Sequence, residues 1–275
     1  MAFPFIEVHD LHLGPVPFHP FGILVASGVL IGSVWAVRRA IKSGLDRAKM
    51  ESLITYVLVF GFVLSHVLDV VMYRPRTILT NPIDLVLLNH GISSFGGFIG
   101  AIVGGLVWRL VKKERILAYG DQMAAVFPVG WLFGRAGCST AHDHIGRLTD
   151  NALLGVRFPI DSPFPPGLRY DLGLLEFFAT IPIAAITLWY ARKPRPAGTI
   201  CGLIALLYAP VRFFLDGLRG TDFAGADARY VGLTPGQWGS VGFLAIGVLL
   251  FVQARGKPAS PIGPPGSSHP SALAS

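Results

Sequence analysis

From Tyr119 to Cys138 the chain reads Tyr-Gly-Asp-Gln-Met-Ala-Ala-Val-Phe-Pro-Val-Gly-Trp-Leu-Phe-Gly-Arg-Ala-Gly-Cys. A helix of about 20 mostly apolar residues, rising about 1.5 Å per residue, crosses the roughly 30 Å hydrocarbon core of a bilayer. This stretch therefore reads as a membrane span. Six further runs have the same character: Pro20–Ile41, Ser52–Tyr73, Gly91–Val111, Asp171–Tyr190, Thr199–Phe214 and Gly236–Gln253. The run from Thr199 is short and is expected to continue towards Gly217. No run alternates with the two-residue period of a barrel strand. The expected fold is an all-α integral membrane protein with seven transmembrane helices spread over residues 1–255. A Pro/Ser/Gly-rich tail, residues 256–275, is expected to be disordered and cytoplasmic.

Composition supports this reading and excludes others. Of 275 residues, 52% are hydrophobic and 14% charged, whereas a soluble domain carries about 25% charged residues. A large soluble enzyme core is excluded. The net charge of +7 does not indicate nucleic acid, because the basic residues sit in short blocks between the apolar runs. Fourteen Lys and Arg fall in the connections that include Arg38–Lys49, Arg109–Arg115, Arg192–Arg195 and Arg255–Lys257, and eight in the opposite set. The positive-inside rule then places the N-terminus outside and the C-terminus in the cytoplasm. Met1 to Pro20 holds no Lys or Arg and lacks the basic region of a cleavable signal peptide. Cys138 and Cys201 fall at opposite ends of their spans, about a membrane thickness apart, too far for a disulfide.

The ionisable residues within the spans share one depth. His66 and Asp69, His90, Arg135, Asp171 and Glu176, and Arg212 with Asp216 all fall in the outer portions of their helices. Ionisable groups inside a membrane are costly and mark function by default, although residues at helix ends can snorkel to the interface. A pore or flippase needs polar groups at every depth, and the inner halves carry almost none. Two arginines at one depth on separate helices, Arg135 and Arg212, point to an anion site. A guanidinium stays charged when desolvated and binds phosphate bidentately, and in a lipid-accessible chamber that anion is a phospholipid headgroup. The glycines Gly96, Gly100 and Gly104 have the spacing of close helix packing, and Ser93-Ser94-Phe95-Gly96-Gly97 could also leave room for a ligand. Beyond the fourth span, His142, Asp143 and His144 offer acid–base groups. With His66 and Asp69 they offer zinc-type ligands, but the spacing matches no established zinc motif, so no metal is expected. A retinal protein needs a buried Lys in a late span, and an intramembrane serine protease needs a Gly-x-Ser pocket; neither is present.

At Gly134-Arg135-Ala136-Gly137, with Gly146-Arg147 closing the interval, the chain resembles the prolipoprotein diacylglyceryl transferase family. The resemblance runs from Gly14-Pro15-Val16 to Gly236-Gln237 and takes in Gly96-Gly97-Phe98-Ile99-Gly100, Arg192-Lys193-Pro194-Arg195-Pro196, and Tyr208 to Arg212 leading to Asp216 and Arg219. It implies a bacterial plasma (inner) membrane enzyme, with its active site towards the outer face. That enzyme moves a diacylglyceryl group from phosphatidylglycerol to the lipobox cysteine of a prolipoprotein signal peptide. Membrane lipids are its surroundings, and neither a cofactor nor nucleic acid is implied. The expected catalytic set is Arg135, Arg212, Asp143, His90 and His142. The expected lipid-binding set is Arg135, Gly96, Gly97, Glu176, Asp216 and Arg219.

The chain departs from the family pattern at telling positions. Family members carry Ser-Phe-His-Gly-Gly where this chain has Ser93 to Gly97, so the family histidine falls on Phe95, which can neither take nor give a proton. A family Asn is Cys138, a second is Ala141, and Glu is replaced by Asp at 143 and 216. The family's Tyr near the start of span one is Phe21, and of its motif before span five only Glu176 is kept. Either His90, His142 or His144 supplies the missing imidazole, or the chain is a divergent paralogue that binds phospholipid and has lost or changed the transfer chemistry.

Overall fold

A computed structural model describes residues 2–6, 8, 11–13, 16–86, 93–223 and 226–259. Seven of its helices are long and apolar enough to cross a membrane. These are α1 (Pro20–Lys42), α2 (Arg47–Tyr73), α4 (Ser94–Lys112), α5 (Ile116–Ala141), α6 (Leu172–Tyr190), α7 (Thr199–Gly217) and α8 (Pro235–Ala254), with a short α3 (Pro75–Thr80) after α2. The sixth run does continue to Gly217. The tail expected to be disordered lies mostly at 260–275, outside the described residues, as do His90 and the first residues of the third predicted span.

Helix starts follow local chemistry. The side chains of Asp46, Ser93, Asp171 and Thr234 accept the backbone N–H three residues on, opening α2, α4, α6 and α8. These contacts satisfy donors that a helix cannot pair itself. Asp171, expected inside the fifth span, is instead the cap before it. The helices also expose side chains such as Leu30, Val59, Leu110, Trp189 and Leu249, as lipid-facing surfaces do.

The loop after α5 is folded rather than irregular. It forms a three-stranded antiparallel sheet of β3 (Ile145–Leu148), β4 (Gly155–Phe158) and β5 (Gly167–Asp171), in the order β3-β5-β4. A hairpin, β1 (Leu11–Leu13) with β2 (Val16–Phe18), precedes α1. The membrane body is helical as expected, and the small sheet caps one end of it. At that end α1, α4, α6 and α8 begin and α2, α5 and α7 finish, so Arg135, Glu176, Arg212 and Asp216, gathered by the sequence pattern, do meet. Cys138 packs against Gly173 there, whereas the Cys201 N–H donates to Asp121 at the opposite end; both thiols are free.

Candidate active site

Three helices supply the centre. Arg135, on the last turns of α5, is 2% exposed, and Glu176, in the second turn of α6, is fully buried. Arg135 Nε lies 2.9 Å from Glu176 Oε1, and Arg212 Nη1 of α7 donates to Glu176 Oε2 at 2.7 Å. Oε1 also accepts from Tyr208 Oη at 2.5 Å and from Trp131 Nε1 at 3.2 Å. The network continues along α7: Arg212 Nη2 is 3.0 Å from Asp216 Oδ1, and Asp216 accepts from Thr234 Oγ1 and from Arg219 Nε at 3.0 Å. Arg219 reaches Asp227 at 2.9 Å. Tyr208, Arg212 and Asp216 stand four residues apart, the spacing that aligns side chains on one helix face.

The two arginines are brought together through a carboxylate, and they open on different spaces. Arg135 stands at the polar end of a groove of about 430 Å³ between α1, α2, α4 and α5. Its walls run from Phe21 to Ala36 on α1 and include Leu58, Phe62, Phe98 and Val126. The fifteen helical steps from Phe21 to Ala36 span about 22 Å, the scale of a long acyl chain. Arg212 instead borders a second cavity of about 290 Å³, walled by Phe95, Tyr208 and Phe243. Arg135 and Arg212, expected to form an anion site, both contact Glu176, which sits between them and neutralises part of both charges. Within the network Arg135 keeps a free hand, because Nη2 is buried with no hydrogen-bond partner among the described residues.

The turn after α5 separates residues that adjoin in sequence. His142 closes the helix with a left-handed backbone, φ 48°. Its Nδ1 lies 2.6 Å from Asp171 Oδ2 and its Nε2 3.1 Å from the Ile6 carbonyl, and Phe5 stacks on the ring with centroids 4.3 Å apart. His142, expected to be catalytic, is thus a clamp between the N-terminal segment and the start of α6, and it does not line the groove. Asp143 and His144 do line it. His144 Nδ1 is 2.6 Å from Asp143 Oδ1, and its Nε2 is 3.3 Å from Arg135 Nη1, which also points at Cys138 Sγ, 3.7 Å away. Burial pushes the His144 pKa below its ordinary value, and Asp143 only partly opposes this. Burial works against the Asp143 charge, but His144, Arg135 and Arg219 together draw its pKa down.

The remaining expected residues divide. Gly97 lines the groove, and a Cβ there would meet only Ser65 Cβ at 3.7 Å. Gly96 is a packing residue rather than a ligand contact: a Cβ would come within 2.6 Å of the Leu64 carbonyl of α2, and Gly104 approaches Tyr56 in the same way. Glu176 and Asp216 are counter-charges to arginines, and Arg219 links Asp216 to Asp227. His66 and Asp69 are used locally, His66 on the Asp84 carbonyl and Asp69 on Arg74. The donors Tyr208 and Trp131 bring to Glu176 escaped the reading of single positions; the four-residue spacings Tyr208–Arg212 and Trp131–Arg135 were the available signal.

Comparison with known proteins bears on this geometry. A family profile described as prolipoprotein diacylglyceryl transferase matches residues 9–253. A relative from Bordetella parapertussis, named phosphatidylglycerol–prolipoprotein diacylglyceryl transferase, is 33% identical over 92% of this chain and 97% of its own length. A relative of the same name from Pseudoalteromonas translucida is 29% identical over 81% of this chain and 83% of itself. Another, from Idiomarina loihiensis, is 28% identical over 92% and 95%. With the match spanning nearly the whole chain and seven apolar helices in place, this multi-pass membrane protein belongs to the prolipoprotein diacylglyceryl transferase family of bacterial transferases.

Proposed function

We propose that the protein transfers the diacylglyceryl group of phosphatidylglycerol to the lipobox cysteine thiol of a prolipoprotein. The observation that carries this reading is Arg135: a buried guanidinium with one unpartnered nitrogen, at the polar end of an apolar groove. Such an end attracts a phosphodiester, and the walls along α1 suit its acyl chains. The acceptor thiolate attacks the glycerol carbon that carries the phosphate, a C–S bond forms, and the C–O bond breaks. Glycerol phosphate leaves with the electron pair. Arg135 stabilises the charge that grows on it, in a site too dry for water to do so. Glu176, itself held by Tyr208, Trp131 and Arg212, fixes the Arg135 guanidinium in place.

The excess of Lys and Arg on the connections away from the site supports an N-terminus outside, a C-terminus in the cytoplasm and an active site towards the outer face of the bacterial inner membrane. The second reading, a paralogue that holds phospholipid without this chemistry, rests on Phe95. Its ring crowds Gly239 of α8 in the second cavity and offers no proton acceptor.

Complementation of a transferase-depleted bacterium tests the proposal, scoring diacylglyceryl addition to a reporter prolipoprotein by its mass shift. Wild type and the exposed-site control Arg229→Ala should modify the reporter. Arg135→Ala should lose about 100- to 1,000-fold, the cost of removing one donor to transition-state charge. Full activity of the Arg135 variant would overturn the site assignment, and an inactive wild type that still retains phosphatidylglycerol would establish the second reading.

A further inference from the structure

The transfer needs a base, because a thiol with a pKa near 8.5 is mostly protonated at neutral pH, and Phe95 supplies none. Resting on the transferase reading, we propose that His144 takes the proton from the acceptor thiol at Nε2, with Asp143 as the positioning residue that holds its ring.

The geometry selects this imidazole over the others. Among the described residues, His144 is the histidine that lines the groove, and His142 and His66 lie outside that lining; His142 is held instead between Asp171 and the Ile6 carbonyl. Arginine can only donate, so the contact from Arg135 Nη1 makes His144 Nε2 the acceptor. The ring proton is then on Nδ1 and is donated to Asp143 Oδ1 at 2.6 Å. The result is a neutral imidazole whose lone pair faces the same guanidinium that is to hold the phosphodiester. Asp143, Arg135 and Arg219 face this ring, Cys138 lies beside it, and Glu176 and Asp227 are close enough to interact with it electrostatically. Burial, the largest influence, lowers the His144 pKa and so works in the same direction as this geometry.

Cys138, Asp143 and His144 could also be read as metal ligands, since one ligand atom from each lies within 4.8 Å of the others. Arg135 Nη1 argues against it. It stands 3.7 Å from Cys138 Sγ and 3.3 Å from His144 Nε2, putting a fixed positive charge beside any cation held there.

The step balances. Nε2 takes the S–H proton, and the thiolate pair forms the C–S bond as the C–O bond breaks towards phosphate. The imidazolium then passes its proton to glycerol phosphate, whose second ionisation lies near about 6, and His144 returns neutral.

The test uses the full chain in nanodiscs containing phosphatidylglycerol, with two lipobox peptides, one bearing cysteine and one bearing selenocysteine. A selenol ionises unaided at neutral pH and needs no base. His144→Gln should lower kcat at least about 100-fold on the thiol peptide and under about 10-fold on the selenol peptide, since a general base contributes about 100- to 10,000-fold. Phosphatidylglycerol retained by the variant, read by native mass spectrometry, should match wild type. Wild-type kcat on the thiol should fall as pH drops below 6.5, the ordinary histidine value, because the pKa is lowered and protonation removes the base. Asp143→Asn, which removes a charge that raises the His144 pKa, should move that acid limb to lower pH. Equal losses on both peptides would make His144 structural, and no loss on the thiol would remove it from the reaction; either overturns the inference while leaving the transferase reading intact. A wild type inactive on both peptides overturns the transferase reading and the base with it.

Discussion

Two buried carboxylates at opposite ends of the bundle have similar burial and opposite designs. Asp121, near the start of α5, accepts from the backbone N–H groups of Gly198 at 2.8 Å, Ile200 at 3.1 Å and Cys201 at 2.9 Å. It serves as the cap that α7 lacks in its own sequence, where Gly198 has no side chain to offer. Glu176 accepts from side chains alone, on α5 and α7. Main-chain donors leave Asp121 saturated and fixed by the fold, which is the pattern of a structural joint. Side-chain donors leave Glu176 dependent on residues that can also serve a ligand, and one of them, Arg135, keeps a nitrogen free. A buried charge is therefore a poor guide to chemistry until its partners are known. The sequence pattern, in which the inner halves seemed almost free of charge, passed over Asp121.

The sharpest way to break this contrast is Glu176→Gln. It strands Arg135 and Arg212 without a counter-charge and should cost about 3–5 kcal/mol, as removal of one member of a buried ionic group does, with loss of transfer. Thermal unfolding in detergent beside the reporter assay checks both. Asp121→Asn leaves one acceptor oxygen for three donors and should cost about 1–3 kcal/mol, the penalty of unsatisfied buried donors. Its transfer rate per folded molecule should stay at the wild-type level. A large loss of rate in folded Asp121→Asn would mean that the two ends are coupled and that the distinction drawn from their partners is wrong.

A smaller pair of substitutions tests the same distinction between joint and site within α4. Gly96→Ala drives a methyl towards the Leu64 carbonyl and should destabilise by about 1–3 kcal/mol, the usual range for overpacking. Gly97→Ala meets only an ordinary contact and should change stability by no more than about 0.5 kcal/mol. Its methyl enters the groove instead, so the effect should appear as weaker retention of phosphatidylglycerol. Unfolding curves and native mass spectrometry of the two variants separate these effects.

Much of the molecule is legible in its residues alone. Seven spans, their limits to within a few positions, the crowding of polar groups at one end and the singling out of Arg135 all follow from composition and order. Lipid imposes length and apolarity on every spanning helix, and a charge in such a run is conspicuous. Even the capped starts at Asp46 and Thr234 are local matters of one side chain and the next turn.

Which groups meet was decided by tertiary structure. Glu176 stands between Arg135 and Arg212, and the two arginines open on different cavities, because the rotation of each helix about its axis is set by packing against neighbours far away in sequence. His142 and His144 are two residues apart and chemically alike, yet one clamps the N-terminal segment and the other faces the groove. The left-handed turn at His142 divides them, and no local pattern announces it, since histidine neither requires nor forbids that conformation. Asp121 reads as a charge close to a helix end until the chain returns 77 residues later with three unpaired N–H groups. Distance along the chain hides such pairings, and close packing creates them.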